Sequence, residues 1–380
     1  MKTIQMVDLV GQYEKIKPSV DEAIMGVMGS AAFIKGPEVK SFQAELQEYL
    51  GVKHVIPCGN GTDALQIALM ALGLEPGDEV ITSNFTFAAT VEVIGLLRLT
   101  PVLIDVERDT FNMDVEALKK AITPNTKAII PVHIFGQCSN MEAIMQIAKD
   151  NNIAVVEDTA QAIGSKYTFS DGSVKSAGCI GDMGTTSFFP SKNLGCFGDG
   201  GALFTNDSEL AARLEAIVNH GMKARYYHDE IGVNSRLDSM QAAVLRIKLR
   251  HLDSYITARQ GAAKYYSDAF ADVDGIETPT IGDNSTHVFH QYTLKTKGVD
   301  RNALQAFLSE KKIPAMIYYP VALHNQKAYK RDGVIDADFP VTMDLCGCVI
   351  SLPMHTELDN EQLEYITNSV KEFFNKELCK

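Results

Sequence analysis

Short apolar segments alternate with helical patterns through the first half of the chain, and this alternation is the strongest constraint on the fold. The segments are rich in valine and isoleucine, which is typical of parallel strands covered on both faces. They are HVIP (54–57), EVIT (79–82), PVLID (101–105), AIIPVH (128–133) and IAVVE (153–157). Between the first two, Leu65, Ala68, Leu69 and Leu72 follow the spacing of one helical face. This order predicts an α/β fold with helices on both faces of a parallel sheet.

The C-terminal part of the chain carries a different pattern, which predicts a smaller α+β domain. Residues 290–296 and 315–320 have the composition of strands, and a helical pattern lies between them. Asp359, with Gln362 three residues later, is the expected N-cap of the final helix. The polar segment 219–236 has no periodicity, so we predict a long loop there.

Length and charge narrow the function. A chain of 380 residues is long enough for two domains, which we place at residues 1–250 and 251–380. Lysine and arginine number 35 against 48 acidic residues, which gives a net charge of −13. Nucleic-acid backbones require clustered cations, so a chain this acidic is a poor general nucleic-acid binder. We expect any anionic ligand to be bound by a local cationic patch.

The sequence favours a cytoplasmic protein without a membrane partner. No apolar run reaches the 18 or so residues of a membrane span. Asp8 and Glu14 come too early for the apolar core of a signal peptide. The seven cysteines, which extend from Cys58 to Cys379, are scattered and form no disulfide framework. We expect buried thiols and no metal site, because the Cys346-Gly-Cys348 pair has no second pair of ligands nearby.

A glycine-rich turn, GNGTDA (59–64), lies between the first predicted strand and the next helix. Glycines at such a turn let backbone N–H groups approach an anion at the helix N-terminus. The string also fits the dinucleotide fingerprint G-x-G-x-x-A, but the acidic residue of that motif should end the second strand, and Asp78 and Glu79 instead begin it. The turn therefore predicts either a phosphate site or a tight turn alone.

Two further residues are candidates for a role in binding or catalysis. Asp158 follows the fifth predicted strand, at the edge of the sheet where ligands bind in α/β folds, although it could instead cap a helix. Lys192 lies in SFFPSKN (187–193), before a run of glycines. Such a lysine can pair with phosphate or, with a lowered pKa, form a Schiff base; it could also be an ordinary surface lysine. Together with the turn, these groups match the needs of pyridoxal phosphate: an anion at its ring nitrogen, an amine at its aldehyde and a helix N-terminus at its phosphate.

With these groups in this order, the chain resembles the DegT/DnrJ/StrS-type nucleotide-sugar aminotransferases over essentially its whole length. The resemblance implies an aspartate-aminotransferase-like fold of type I: a large domain with a mostly parallel mixed sheet flanked by helices, plus the smaller C-terminal domain. The matching strings are FIKGPEV (33–39), GNGTDAL (59–65), TFAAT (86–90), VEDTAQAIG (156–164), GDMGTTSFFPSKNLGCFGDGGALFT (181–205), GVNSRLDSMQAA (232–243) and YYPVALHNQKAY (318–329).

The resemblance also implies roles for individual residues. Lys192 would hold pyridoxal phosphate through its amine and later move a proton, and Asp158 would pair with the ring nitrogen. Phosphate contacts would come from Gly61, Thr62, Asp63 and Ser187; Phe87 would stack on the ring, and Gln161 would lie near its hydroxyl. A dehydratase branch of the family has histidine in place of the lysine, so Lys192 favours transamination.

Other implied contacts involve the substrate and a second subunit. Asn234 would reach the phosphate from the neighbouring subunit, which implies a homodimer with shared active sites. Arg236 would contact the sugar substrate from the same side. Tyr318 and Tyr319 would bind substrate too, although the family often has His-Tyr-Pro where this chain has Tyr-Tyr-Pro.

We therefore expect an amino group to pass from glutamate to a nucleotide-linked oxo-sugar, for a surface polysaccharide such as lipopolysaccharide or for a glycosylated metabolite. The preferred substrate is a UDP-2-acetamido-3-oxo-glucuronate-type sugar. The alternatives are a dTDP-3-oxo-6-deoxyhexose or a 4-oxo sugar. Two rival classes are a nicotinamide-dependent oxidoreductase and a regulatory or sensory protein on the same fold. His133 is interpreted as a hydrogen-bonded residue at a strand end, whereas His290, His324 and His355 could line the sugar pocket.

Overall fold

The structure, a computed structural model, describes residues 2–378, and Cys379 lies outside this range. Helices α1 to α12 cover, in chain order, Leu9–Ser30, Pro37–Leu50, Gly61–Leu72, Ala89–Leu96, Val115–Ala121, Met141–Asn151, Ser208–Ile217, Ser239–Leu249, Leu252–Phe270, Arg301–Glu310, Pro340–Cys348 and Asn360–Leu378. Strands β1 to β14 cover His54–Cys58, Glu79–Ser83, Thr100–Ile104, Thr126–Ile130, Ala154–Asp158, Lys166–Thr168, Val174–Ser176, Met183–Ser187, Gly201–Thr205, Met222–Ala224, Tyr227–His228, Ile276–Glu277, Tyr292–Thr296 and Val349–Leu352.

A seven-stranded sheet forms the centre of the large domain, in the order β1-β9-β8-β5-β4-β2-β3. Strand β9 runs antiparallel to both of its neighbours, and the remaining pairs are parallel. The predicted α/β fold with a mostly parallel mixed sheet is therefore confirmed. The five apolar segments form β1 to β5. Their carboxyl ends lie at one edge of the sheet, next to the N-terminus of α3.

Helices cover the sheet on both faces, which explains why its strands lack polar alternation. In β2, Val80 packs with the α3 and α4 side chains, while Ile81 packs in a different cluster with Met141 and Ile144 of α6. Adjacent strand residues point to opposite faces. Both faces are apolar here, so the strand sequence reads as a continuous hydrophobic run.

The smaller domain has a three-stranded antiparallel sheet, β12-β13-β14. Its core includes Tyr266 of α9, Tyr292 of β13 and Phe374 of α12, and Ile4 from the start of the chain packs in the same cluster. The predicted N-cap of α12 is present. Asp359 accepts from the Gln362 N–H at 2.9 Å, and the Gln362 side chain accepts from the Asp359 N–H at 3.2 Å. The domain boundary at residue 250 stays a prediction.

Two local predictions were wrong. Residues 315–320 form no strand, and only Met316 makes an isolated bridge, to Ser351. Pro320 cannot donate to a sheet, and the segment turns toward the large domain, where the Tyr319 ring packs 5.9 Å from that of Phe85. The predicted loop 219–236 contains a short hairpin of β10 and β11. Strands this short leave no periodic signal.

No helix within residues 2–378 combines the length and apolar character needed to cross a membrane. The six cysteines in this range are free. The same residues contain no group of three or more histidine, cysteine or acidic side chains arranged to hold a metal ion.

Candidate active site

The candidate site lies at the carboxyl edge of the large sheet, where Asp158 ends β5. This residue is only 6% exposed. Its Oδ2 accepts a hydrogen bond from the Thr90 hydroxyl at 2.9 Å, and its Oδ1 accepts from the Ala160 N–H at 3.1 Å. A turn follows rather than a helix, so the carboxylate is not a helix cap. Asp158 is thus a buried, oriented anion at the edge of the sheet where ligands bind.

Lys192 lies in the loop that joins β8 to β9, and its backbone N–H donates to Phe189 O at 2.8 Å. Burial lowers the pKa of the Lys192 amine to about 8, while the Asp158 carboxylate acts in the opposite direction. A lysine with such a pKa is partly neutral near neutral pH, and the neutral amine is the nucleophilic form. The chain therefore places a reactive amine within the electrostatic reach of a buried carboxylate.

The glycine-rich turn forms the N-terminus of α3. The Asn60 side chain caps the helix by accepting from the Asp63 N–H at 2.8 Å. The first N–H groups of a helix have no intrahelical partner, and Gly61 and Thr62 hold these positions. A Cβ at Gly61 would lie 2.6 Å from the Cβ of Ser187, so only glycine lets the helix approach the end of β8 so closely. Gly61, Thr62 and Ser187 together form a cradle that fits a phosphate group.

Asp63 has a structural contact that the sequence did not reveal. Its Oδ2 accepts from the Ser235 hydroxyl at 2.6 Å, and the Ser235 Oγ accepts from the Gly59 N–H at 2.8 Å. The Asp63 N–H is already bonded to Asn60. The contact therefore ties segment 234–236 to the start of α3.

Gln161, Tyr319 and Phe87 form the side of the site nearest the small domain. The Gln161 Oε1 accepts from the Phe135 N–H at 2.8 Å, which orients its Nε2 toward the Tyr319 hydroxyl, 3.1 Å away. Burial raises the pKa of Tyr319, so it stays a neutral phenol. The Phe87 ring lies 6.5 Å from the Tyr319 ring and is 58% exposed, which leaves a free aromatic face. Tyr318 lies next to Tyr319, with ring centroids 5.9 Å apart.

No described hydrogen bond or shared cavity joins Asn234 or Arg236 to Lys192 of the same chain. Asn234 is exposed. Arg236 donates to the Asn219 side chain at 3.5 Å and lines a cavity of about 700 Å³ to which neither Lys192 nor Asp158 contributes. The charged residues that line this cavity are Lys35, Lys40, Lys223, Arg225, Arg236 and Glu215. The cavity is therefore lined by five cationic side chains and one carboxylate. It is a local cationic patch of the kind that the sequence analysis expects without naming its residues.

The sequence alone does not indicate the contacts of Thr90 and Glu157 around Asp158. Thr90 lies in the matched string TFAAT, which gives it no evident role, and Glu157 in VEDTAQAIG has the position of the last residue of a predicted strand. His133 is confirmed as a hydrogen-bonded residue at a strand end, since its Nε2 lies 2.8 Å from a Glu157 oxygen. The sequence signal that could have indicated these residues is their position, next to Asp158 in the chain or at the end of a strand.

A partly neutral amine beside a buried carboxylate suits a cofactor with an aldehyde and a basic ring nitrogen. The phosphate cradle at α3 completes the fit. The fold and this site together define an enzyme of the pyridoxal-phosphate class.

Comparison with known proteins gives the family. The model of the DegT/DnrJ/EryC1/StrS aminotransferase family matches residues 14–371, and the chain belongs to this family. The predicted class, a pyridoxal-phosphate-dependent aminotransferase, is thereby confirmed, and the nicotinamide-dependent alternative was wrong. Asp78 shows why: its carboxylate accepts from the Glu75 N–H at 2.8 Å in the turn before β2, at the opposite end of the strand from the ligand edge.

Three similar proteins illustrate the match. The UDP-2-acetamido-2-deoxy-3-oxo-D-glucuronate aminotransferase of Pseudomonas aeruginosa is 44% identical over 363 residues, which cover 96% of this chain and 98% of that protein. A pleiotropic regulatory protein of Geobacillus stearothermophilus is 44% identical over 376 residues, with 98% of each chain covered. The crystal structure of a DegT DnrJ EryC1 StrS aminotransferase from Brucella abortus is 41% identical, with a TM-score of 0.92 over 98% of this chain and 99% of that chain.

Proposed function

We propose that this protein moves an amino group from glutamate to a nucleotide-linked 3-oxo sugar. The observation that carries the proposal is the pairing of Lys192, whose pKa is lowered to about 8, with the buried Asp158 carboxylate. Glutamate is the donor that the resemblance implies. The overall reaction exchanges an amine for a ketone, so glutamate becomes 2-oxoglutarate and the oxo-sugar becomes an amino sugar.

Each cofactor-binding role follows from the chemistry of the side chain. When bound, pyridoxal phosphate carries the amino group between the two substrates and draws electrons from the carbon that loses a proton. Lys192 holds the cofactor and, once free, accepts and returns that proton, because part of its amine is neutral near neutral pH. Asp158 stabilises a protonated ring nitrogen. The Gln161 Nε2 donates one N–H to the Tyr319 hydroxyl at 3.1 Å, and we assign its second N–H to the ring hydroxyl.

Phosphate and ring contacts complete the cofactor site. We assign the phosphate to the N–H groups of Gly61 and Thr62 and to the Ser187 hydroxyl, which the missing side chain of Gly61 allows to converge. The carboxylate of Asp63 holds Ser235, so its contribution is to the shape of the cradle. Phe87 presents its exposed face to the ring.

The cationic cavity supports a nucleotide-linked substrate. A nucleotide diphosphate carries negative charge along its length, and cations in a concave site bind such a group through charge-assisted hydrogen bonds. The cavity that contains Arg236 also contains Lys35, Lys40, Lys223 and Arg225. We infer that these residues bind the diphosphate while Tyr318 and Tyr319 face the sugar.

The names of the relatives support amination at carbon 3. Besides the Pseudomonas enzyme, a 40% identical protein of Acidithiobacillus ferrooxidans is a UDP-N-acetyl-3-dehydro-α-D-glucosamine 3-aminotransferase. Two relatives that act on dTDP sugars, from Streptomyces venezuelae and Aneurinibacillus thermoaerophilus, are named as 3-amino-sugar transaminases and are 37% and 38% identical. The carbon is thus common to all four names, while the nucleotide differs. We favour a UDP-2-acetamido-3-oxo-glucuronate-type substrate and keep a dTDP-3-oxo sugar as the alternative.

A homodimer with shared active sites is part of the proposal. No described hydrogen bond or cavity joins Asn234 or Arg236 to Lys192 of the same chain, as expected if they serve a neighbouring subunit. Met25, Met28 and Ile34, which are close in sequence, expose 68%, 50% and 53% of their surface and are candidates for burial in a dimer interface. The cytoplasmic location remains a prediction.

A regulatory role is the second candidate, because one 44% identical relative is named as a pleiotropic regulatory protein. We favour catalysis, since an amine with a lowered pKa beside a buried carboxylate is what amine transfer through pyridoxal phosphate requires. The substitution Lys192→Ala separates the two: a regulatory function would survive it, whereas amine transfer would not.

The reverse reaction tests the proposed substrate. The protein, loaded with pyridoxal phosphate, is incubated with 2-oxoglutarate and a panel of UDP-linked and dTDP-linked amino sugars, and glutamate formation is measured. We expect glutamate only with 3-amino sugars, most rapidly with the UDP-2-acetamido-3-amino-glucuronate, and none with the Lys192→Ala protein. Preferential use of a 4-amino sugar would contradict the assignment to carbon 3, and no glutamate with any sugar would contradict the proposed reaction.

A further inference from the structure

A buried glutamate lies directly behind Asp158 and takes no part in the proposed reaction. Glu157 is 0% exposed, and its two oxygens accept four hydrogen bonds. The donors are the His133 Nε2 at 2.8 Å and the backbone N–H groups of Gly178, Ile180 and Gly181 at 2.9, 2.6 and 2.7 Å. Each carboxylate oxygen thus accepts two hydrogen bonds, and all four donors are N–H groups.

The partner histidine has a defined proton position. The Nδ1 of His133 accepts from the Ser139 N–H at 3.1 Å, so the ring proton is on Nε2 and is donated to Glu157. His133 is also 0% exposed. Both ring nitrogens are therefore used, and the imidazole links the segment after β4 to Glu157.

The Glu157 contacts join the segments that surround Asp158 along the main chain. The His133 N–H donates to the Asp158 carbonyl at 3.0 Å, and the Asp158 N–H donates to Pro131 O at 2.9 Å. On the other side, residues 178–181 precede β8, whose Thr185 carbonyl accepts from the Thr159 N–H at 2.8 Å. Side chains alternate along a strand, so Glu157 lies on the sheet face opposite the Asp158 carboxylate.

We infer that Glu157 and His133 are positioning residues, which hold the ends of β4, β5 and the segment before β8 so that Asp158 meets the cofactor's ring nitrogen. The Thr90 hydroxyl orients the same carboxylate from its own face of the sheet. Glu157 and His133 touch neither substrate nor cofactor and act through Asp158. The inference rests on the proposed role of Asp158 and deepens it.

Matched substitutions test the inference. Glu157→Gln keeps the shape but turns an amide NH₂ toward two N–H donors. His133→Asn can still accept from Ser139 but is too short to donate to Glu157, whereas His133→Gln places an NH₂ near the original Nε2. Thr185→Val is the control, because it removes a hydrogen bond to the Glu157 main-chain carbonyl, 3.1 Å away, and leaves the carboxylate contacts intact.

The readouts are the dissociation constant of pyridoxal phosphate and the absorbance of the Lys192-bound cofactor titrated against pH. Asp158→Asn provides the reference direction of the titration shift. We expect Glu157→Gln and His133→Asn to shift the titration in that direction and to weaken cofactor binding about tenfold, the size of one lost hydrogen bond to a charged group. His133→Gln should recover most of both effects, and Thr185→Val should resemble the wild type.

The outcomes distinguish this inference from the proposed function. Failure of the wild-type protein to bind the cofactor at Lys192 would count against the proposed function itself. The positioning role alone would be overturned if the wild-type protein binds the cofactor normally and the Glu157→Gln and His133→Asn proteins titrate like the Thr185→Val protein. Loss of folding in both variants, or a His133→Gln protein no better than His133→Asn, would overturn it too, because the contacts would then serve stability alone.

Discussion

Lys192, the proposed catalytic residue, should cost the protein stability. Burial lowers the pKa of Lys192 from 10.5 to about 8, so the folded chain holds a charged amine less favourably than the unfolded chain does. Replacing Lys192 with methionine keeps most of the side-chain volume and removes the charge. We therefore predict that Lys192→Met stabilises the cofactor-free protein near neutral pH while it abolishes activity.

The size of this effect follows from the pKa. Each pH unit of difference between the folded and unfolded values is worth about 1.36 kcal/mol, so the interval from 10.5 to about 8 sets an upper bound of roughly 3 kcal/mol. Lys192 is half-buried, and solvent screens part of the cost. We expect about 1–3 kcal/mol in the free energy of unfolding.

The stability advantage of Lys192→Met should depend on pH in a defined direction. Well below pH 8 the amine is charged in both states, and the folded chain carries the full cost. Between pH 8 and 10.5 the folded chain has lost the proton and the unfolded chain has not, so the cost declines with rising pH. Above pH 10.5 both forms are neutral and the advantage of methionine disappears.

Urea unfolding of the cofactor-free proteins between pH 6 and 10 measures the difference. Lys120→Met is the matched control, because Lys120 is exposed near the end of α5 and its replacement should change stability by less than about 0.5 kcal/mol at every pH. An Lys192→Met protein that is less stable than the wild type at pH 7, or whose advantage grows with pH, would refute the electrostatic argument.

Three further predictions concern the site and the substrate. Gly61→Ala should weaken binding of pyridoxal phosphate at least about tenfold in equilibrium titrations, because overpacking costs about 1–3 kcal/mol where the added Cβ meets Ser187. The control is Gly261→Ala, which has open space around the added Cβ. This control protein should bind the cofactor normally and unfold at a slightly higher denaturant concentration. Arg236→Ala should raise the KM for the nucleotide sugar about tenfold in steady-state assays and leave the KM for glutamate unchanged, since only the former carries a diphosphate. Tyr319→Phe removes the hydroxyl that accepts from the site glutamine and should shift the absorbance titration of the bound cofactor without lowering its occupancy.

The large domain was predictable because both faces of its strands are buried. Strands β1 to β5 are short apolar runs, and the helices between them repeat at helical spacing, so the sequence pattern and the structure coincide. Strands β8 and β9 were not recognised separately. The sequence of β8, MGTTS, lacks an apolar run, and its glycine is required because Gly184 lies against Gly178, where a Cβ would lie 2.0 Å from the carbonyl oxygen.

The site was predictable where a residue type reveals its chemistry. Lys192, Asp158 and the glycine-rich turn could be proposed together because an amine, a carboxylate and free N–H groups are unusual neighbours of strand ends. The supporting residues could not be found in this way. Glu157 acts through backbone N–H groups of residues 178–181, and Ser235 reaches Asp63 across more than 170 positions of sequence. Such contacts depend on strand order, which local periodicity does not contain.

The most direct test of the account is the position of the covalent bond between the protein and its cofactor. Borohydride reduction of the loaded protein fixes the cofactor to its lysine and blocks tryptic cleavage there, so the label should appear on the peptide of residues 176–213, at Lys192. We predict one label per chain at this position. Fully loaded protein that carries the label on another lysine, or carries none, would contradict the assignment of Lys192.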